Sequence, residues 1–417
     1  MAGTDSDTGG VEGERRNGRF LILTQIISKM GDLLCNPKTV LTWLMGVVAA
    51  PLELTSLLVP IREAGSMLPQ LFISGLVKRV PRRKWVFAAG GVGQAISVMA
   101  MGASALLFEG VVAGWAIVLS LVVFSFSRCL NSISSKEVLG KAISKGRRGR
   151  ISGVAGSVSG LLGLSGALIV LLGFDRDVGK ATYGWFLVGA AGFYLIAAFV
   201  MALVEEERSK EDGADLSGDL RERLGLVWRD RVLRQFVVVR TLLLGSALAS
   251  PYLVVLSQQG GFNLRCLAGF VLAEGLASGL SSILWGRLSD RSSRTAMMMG
   301  AVVAAGVGLA GVLIALEGGQ LANRLWIWPL LFFVLSVGYS GVRIGRKTYI
   351  VDISGDENRI DYVSASNTLI ALMLIVLGGL GSVIQSVGTV WALGFFSILS
   401  LLGGGFTFLL KKVDPGQ

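Results

Sequence analysis

The feature that most constrains this chain is a succession of apolar runs, each about as long as a helix needs to cross a hydrocarbon layer. Inside a bilayer the backbone N–H and C=O groups find no water. A spanning segment is therefore a helix of about 20 mostly apolar residues. Such segments fall near 26–49, 55–77, 84–108, 113–135, 150–173, 181–204, 233–257, 264–285, 294–316, 325–345, 363–387 and 389–410. They predict an all-α membrane protein with twelve transmembrane helices. The first segment is the most interrupted, by Lys29, Asp32 and Lys38. Composition agrees: of 417 residues 52% are apolar and only 16% charged, where a soluble chain carries about a quarter charged.

Several functions are excluded at once. Histidine is absent, which removes His-based triads, His zinc sites and HExxH chemistry. Cys35, Cys129 and Cys266 stand far apart with no CxxC pair, so neither a disulfide framework nor a thiolate metal site is indicated. No GxxxxGK[ST] loop exists to cradle phosphates, and no nucleophile–base constellation appears in any span. An enzyme is not expected, and no cofactor or metal is implied. The net charge of +11 lies between apolar runs rather than on one patch, so nucleic acid is not the expected partner. The lipid bilayer is, and the chain is expected to be a monomer.

Basic residues set the orientation, because loops rich in Lys and Arg stay in the cytoplasm. With a cytoplasmic N-terminus the outer connections hold only Arg176, Lys180, Arg265 and Arg324. Lys38, Arg62, Arg128 and Arg240 lie within spans, and the rest of the 39 basic residues fall on the inner side. Both termini are therefore expected in the cytoplasm, with a bacterial inner membrane as the location. Residues 1–25 read as a disordered inner tail and 411–417 as a short inner tail. The charged stretch 205–232 divides the spans six and six, into bundles 26–204 and 233–410. Within it Leu220, Leu224, Val227 and Trp228 form an apolar stripe suited to a helix lying on the inner membrane face.

A fixed-period repeat marks a duplicated fold. Gly286-Arg287-Leu288-Ser289-Asp290-Arg291-Ser292-Ser293-Arg294 ends the eighth segment. Moved back 211 positions, Gly286 falls on Gly75, Leu288 on Val77 and Arg294 on Arg83; Lys347 likewise falls on Lys136. The 286–294 segment resembles the cytoplasmic G-x-L-[A/S]-D-R-x-x-R loop of the major facilitator superfamily of secondary transporters. That resemblance, extending over 26–410, implies a fold of two six-helix bundles around a central cavity. It implies a permease that exposes this cavity to either side in turn by alternating access. It also implies a conformational latch at Gly286, Arg287, Asp290, Arg291 and Arg294, with Asp290 as the acid; the bland reading of these arginines is a topology signal. Arg79 stands where the first half would carry its loop acid, so only Asp290 can serve.

Charged groups inside a span cost roughly 2.5–3.5 kcal/mol on insertion scales and mark candidate function. Glu63 and Glu274 are related by the same 211-position displacement, each 12 residues before its half's loop glycine. Twelve helical residues rise about 18 Å, to the middle of a ~30 Å core. Ser56, Glu63, Ser66, Gln70 and Ser74 make one polar stripe, and Glu274, Ser278 and Ser281 another. The expectation is two carboxylates facing each other across a wet cavity and carrying protons. For Glu63 the competing reading is a fixed pair with Lys38 or Arg62. Arg62 points into the cavity or packs on a neighbour; Lys38, after Pro37, is a binding cation or a partner of Glu63.

Arg128 sits in Arg128-Cys129-Leu130-Asn131-Ser132-Ile133-Ser134, similar to the superfamily's fourth-helix R-x-x-Q-G-x-G pattern. That likeness implies a part in proton or anion handling, against snorkelling to the inner surface. Arg240 is expected to snorkel, and Asp32 to sit near the inner mouth or pair with Lys29. Gly149, Gly153, Gly156, Gly160 and Gly163, with Gly275 and Gly279, suit helices that slide closely. The superfamily's proton-antiport exporters often carry G-x-x-x-G-P-x-x-G-G in the fifth helix; no proline follows Gly160 here, so the resemblance does not extend to a drug exporter. The expected function is secondary transport of a small solute, anionic or zwitterionic, with protons as coupling ion. The alternative is a non-transporting receptor or scaffold with this fold.

Overall fold

The computed structural model describes residues 5–69, 73, 77, 79–144, 147–173, 179–208, 220–261 and 263–411. The first half contains α1 (Asp5–Leu34), α2 (Val40–Val47), α3 (Leu52–Met67), α4 (Lys84–Leu107), α5 (Gly110–Ala142), α6 (Arg148–Gly173) and α7 (Lys180–Ala202). A connecting helix, α8 (Leu220–Arg229), follows. The second half contains α9 (Arg231–Leu243), α10 (Gly245–Leu248), α11 (Ser250–Gln259), α12 (Leu264–Arg291), α13 (Ser293–Glu317), α14 (Ile327–Val387) and α15 (Thr389–Phe406).

Ten helical stretches among the described residues are long and apolar enough to cross a membrane. Of the two further crossings expected, that at 26–49 is interrupted between α1 and α2, and that at 55–77 lies partly outside the described residues. At the first, Pro37 lacks the N–H that would continue α1. Its carbonyl instead accepts Thr42 Oγ1 at 2.7 Å, Asn36 Oδ1 accepts Lys38 N at 2.8 Å, and the chain restarts as α2. At the second, α3 ends at Met67. Gln70 and Ser74 of the expected polar stripe lie outside the described residues, as does Gly75.

Order begins earlier than the disordered tail expected for 1–25, since α1 starts at Asp5. Its inner turns are tied down: Glu14 accepts from Ser144 N and Oγ at 3.1 and 2.8 Å. Asn17 exchanges two bonds with the Glu205 backbone, at 3.0 and 2.9 Å. α8 forms where the amphipathic stripe was read. Val227 is buried among Leu233, Tyr349, Ile350 and Ala365, while Trp228 stays exposed.

The long α14 cannot be straight. Tyr339 and Ser366, 27 positions apart, would be about 40 Å apart along one axis. Arg240 nevertheless bonds Ser366 and couples electrostatically to Tyr339 and Arg346. The run therefore doubles back between its two apolar stretches, 327–354 and 362–387, and supplies two crossings.

The apolar core is forked. One cluster takes side chains from both halves, from Leu41, Leu58 and Phe124 to Tyr252, Phe270 and Phe396. It occupies the end that carries the 259–264 connection. At the opposite end each half has its own cluster. Leu21, Phe87, Val138 and Met201 serve the first half, and Phe236, Met297, Tyr349 and Ala365 the second. α3 packs on α14 and α6 on α12 across the seam between the halves. Large apolar side chains such as Leu161, Phe199 and Val383 remain exposed, as lipid contact requires.

Within the second half α13 and α14 touch backbone to backbone. A Cβ on Gly338 would sit 2.7 Å from Gly300 O, whereas one on Gly306 meets nothing within 4 Å. Gly338→Leu is expected to lower stability by about 1–3 kcal/mol through overpacking, and Gly306→Leu to leave it nearly unchanged. Thermal unfolding of the two purified variants checks this. Asp230 caps α9, accepting from Val232 N at 2.7 Å, Leu233 N at 3.2 Å and the Tyr362 hydroxyl. Burial pushes its carboxyl up, but the Tyr362, Leu233 and Val232 bonds outweigh this and hold it below the usual value. A depressed carboxylate contributes stability above its unfolded pKa and loses it as pH falls through the folded one. Asp230→Ala should therefore cost about 1 kcal/mol at neutral pH, and the gap from wild type should close under acid conditions.

Candidate functional site between the two halves

The charges at the centre are arranged around Asp32, near the end of α1. Its Oδ1 pairs with Arg62 of α3 at 3.3 Å and, more closely, with Arg128 of α5; the Tyr194 hydroxyl of α7 donates to the same oxygen at 3.2 Å. Cys35 Sγ lies 3.0 Å from that hydroxyl, and Arg62 stacks on the Phe124 ring with 4.7 Å to its centroid. Four helices of the first half thus converge on one carboxylate. Asp32 is not at the inner mouth, and although Lys29 is within electrostatic reach, the arginines hold it. Arg128 turns inward to Asp32 rather than snorkelling. Arg62 is taken by Asp32 and Lys38 lies over Tyr339, so neither partner considered for Glu63 is paired with it among the described residues.

The two repeat-related acids each reach the other half. Glu274 Oε2 accepts from Asn36 Nδ2 at 2.8 Å, at the break between α1 and α2. Glu63 is electrostatically coupled to Arg240 of α9. Glu274 thus bonds across the seam, while Glu63 lies within electrostatic reach of the first helix of the opposite bundle. No contact between the two carboxylates themselves is recorded among the described residues. Ser66 donates to Glu63 O at 2.8 Å, a local helix bond, and Ser278 is exposed on α12.

Lys38 lies over the Tyr339 ring of α14, 3.8 Å from its centroid, with Arg343 6.0 Å from the same ring. Arg240 is 6% exposed and donates to Ser366 Oγ at 2.7 Å and Asn367 Oδ1 at 2.9 Å. It does not snorkel; the neutral oxygens of α14 hold it in the interior. Tyr339, Arg343, Arg346 and Lys347 follow i, i+4, i+7, i+8 spacing and share a helix face. The sequence reading assigned the three cations to an inner connection, whereas the helix carries them on to residue 354. That spacing was the signal that would have found them.

Three hydrogen bonds join the halves among the described residues. They are Asn36–Glu274, Tyr252 Oη to Ser56 Oγ at 3.0 Å, and Gln258 Nε2 to Trp43 O at 2.8 Å. All lie between mid-depth and the end bearing the 259–264 connection. At the other end Lys136 of α5 lies within electrostatic reach of Lys347 of α14, as a like charge. There the 286–294 segment is almost all helix: α12 runs to Arg291, and Ser292 caps α13 by accepting from Thr295 N. Arg294 donates to Leu410 O at 2.9 Å. Asp290 is exposed, with no hydrogen bond or ion pair among the described residues. Arg287 and Arg291 line a cleft of about 470 Å³ with Leu280, Ile283, Leu284 and Leu288. Among the small residues, Gly275 takes Leu164 across the seam, while Gly153, Gly160 and Gly279 meet nothing within 4 Å.

Together these features define an integral membrane protein of two helical bundles, joined along a seam and enclosing charge. Residues 267–417 match the family model of the Major Facilitator Superfamily. The inward-open xylose transporter XylE from E. coli superposes with a TM-score of 0.67 at 12% identity, covering 94% of this chain and 97% of that one. A variant of the nucleoside transporter NupG gives 0.66 at 13%, covering 94% and 98%. A POT family transporter in complex with 5-aminolevulinic acid gives 0.70 at 11%, covering 94% and 96%. No curated protein matches by sequence. The chain has the major facilitator fold, and the resemblance read from its 286–294 segment is borne out.

Asp32 is the counter-charge for two arginines. Asp32→Asn should destabilise the protein by about 3 kcal/mol, at the low end for a broken buried pair because Arg128 keeps some access to water. The Asp32→Asn/Arg62→Gln double variant should lose less than the sum of its parts. A double-mutant cycle on unfolding midpoints reads the coupling, and strict additivity would contradict it.

Proposed function

We propose that this chain is a secondary transporter that moves a small anionic or zwitterionic solute by alternating access, with protons as the coupling ion. The observation that carries the reading is the forked core: one shared cluster at the end with the 259–264 connection, separate clusters at the other. Two bodies hinged in this way, 26–204 and 233–410, expose their central charges at the unjoined end. The distribution of basic residues supports assigning that end, and both termini, to the cytoplasmic side, and a bacterial inner membrane is part of the same proposal. The state described is therefore inward-facing. In the opposite state the unjoined ends would close, the three cross-bundle bonds would part, and Asp290 would gain a partner on the first bundle. Its present exposure fits a latch that is open.

Glu63 and Glu274 are the proposed proton carriers. Glu274 is bonded to the opposite bundle and Glu63 lies within electrostatic reach of it, so opening the seam changes the surroundings of both at once. A carboxylate separated from its donor or cation and buried instead in apolar surroundings takes up a proton more readily.

The native cysteines are all buried, so spin labels can be placed selectively at Val154 and Leu284. Both side chains are exposed, on the seam helices α6 and α12. Two distance populations are expected, with a ratio that changes with pH. Glu63→Gln and Glu274→Gln should flatten that pH dependence, and Asp290→Asn should enrich the longer distance. A single population at every pH would leave a receptor or scaffold as the better description.

A further inference from the structure

Five cations face the unjoined end with little to balance them. Arg343, Arg346 and Lys347 lie along one face of α14, Lys347 is coupled to Lys136 of α5 across the gap, and Arg240 is coupled to Arg346. Arg240 is the informative member. It is almost fully buried, its two bonded partners are neutral, and its Nε has no hydrogen-bond partner. The acids in reach are mostly committed. Asp32 is held by Arg62 and Arg128, and Glu274 by Asn36. Glu63 is the carboxylate within electrostatic reach of Arg240.

Like charges gathered between low-dielectric walls repel strongly, and a guanidinium out of water costs several kcal/mol unless a counter-charge reaches it. Lys136 and Lys347 stand in solvent, but Arg240 is buried on neutral oxygens with Glu63 the acid in its reach, so the cluster as a whole can accept more than one further negative charge. We propose that Arg240, Arg343, Arg346 and Lys347, with Lys136 opposite, bind a small organic anion carrying at least two negative charges, of the phosphate-monoester or polycarboxylate type. The ladder from Tyr339 to Lys347 rises about 12 Å, long enough to engage charges at both ends of such a molecule. Guanidinium forks suit the flat oxygen pairs of carboxylates and phosphates. Lys38 stacked on Tyr339 closes the upper end of the site. This deepens the transporter reading and rests on it for the word substrate, though binding can be measured without transport.

The test is thermal unfolding of the purified full chain with millimolar citrate, glucose 6-phosphate, lactate or glucose, at matched ionic strength. Citrate or glucose 6-phosphate should raise the midpoint, and lactate and glucose should not. Arg346→Gln and Lys347→Gln are partly or fully exposed positions that should keep the ligand-free midpoint yet weaken apparent affinity about tenfold each, 1.4 kcal/mol. Three results would overturn the proposal: no stabilisation by either multivalent anion, equal stabilisation by lactate or glucose, or undiminished affinity in both variants. The spin-label distances keep the two ideas apart. Alternation without anion binding removes only the substrate class, and anion binding at one fixed distance removes transport but leaves the site.

Discussion

Hydrocarbon supplies neither water nor counter-ions, so every charge carried into the middle of this molecule must be answered by another part of the protein. That requirement explains more of the structure than any helix propensity does. Asp32 draws α1, α3, α5 and α7 to one point because two arginines and a tyrosine have nowhere better to place their protons. The break at Asn36–Pro37 frees an amide to meet Glu274, which would otherwise be a bare carboxylate at mid-depth. Arg240 finds Ser366 and Asn367 for the same reason. The first half is knit by full ion pairs. The second half holds its arginine with neutral oxygens, and its charge stays open to something else.

The forked core gives that difference a direction. An apolar cluster shared by both halves resists separation, since parting it exposes its area to water or forces rearrangement. Two clusters that never touch resist nothing. Stiffness is thus concentrated at one end and freedom at the other, which is how a hinge between rigid bundles is made. The three bonds that cross the seam are few, and two are between neutral partners, so closing the other end need not break a large network.

Much of this was legible in the chain. Apolar length placed ten of the crossings, because a helix in lipid has a nearly fixed size. The repeat singled out Glu63 and Glu274 by register alone. The interior partners were not legible, for a definite physical reason. Asp32 has Lys29 as a sequence neighbour, yet its partners come from positions 62, 128 and 194, and tertiary packing decides that. Arg240 lies close enough to a helix start to snorkel, and only the fold reveals the oxygens of α14. Arg343, Arg346 and Lys347 were read as topology because the positive-inside rule and a basic cavity leave the same mark at the inner end of a span.

That ambiguity is itself instructive. A cation at the cytoplasmic end of a helix satisfies insertion whichever way its side chain later turns. A chain selected for correct orientation therefore already holds basic groups where an inward-open cavity begins. Turning one helix face toward the seam, as α14 does with Tyr339, Arg343, Arg346 and Lys347, converts an orientation signal into an electrostatic well at no further cost in insertion. The pseudo-twofold relation then matters. The related face of α5 carries Lys136 at the matching position, so the proposed well has two walls, and both would move if the bundles rock. A solute held by both walls would bias their separation, which is the differential contact that any ligand-driven shift between two states requires.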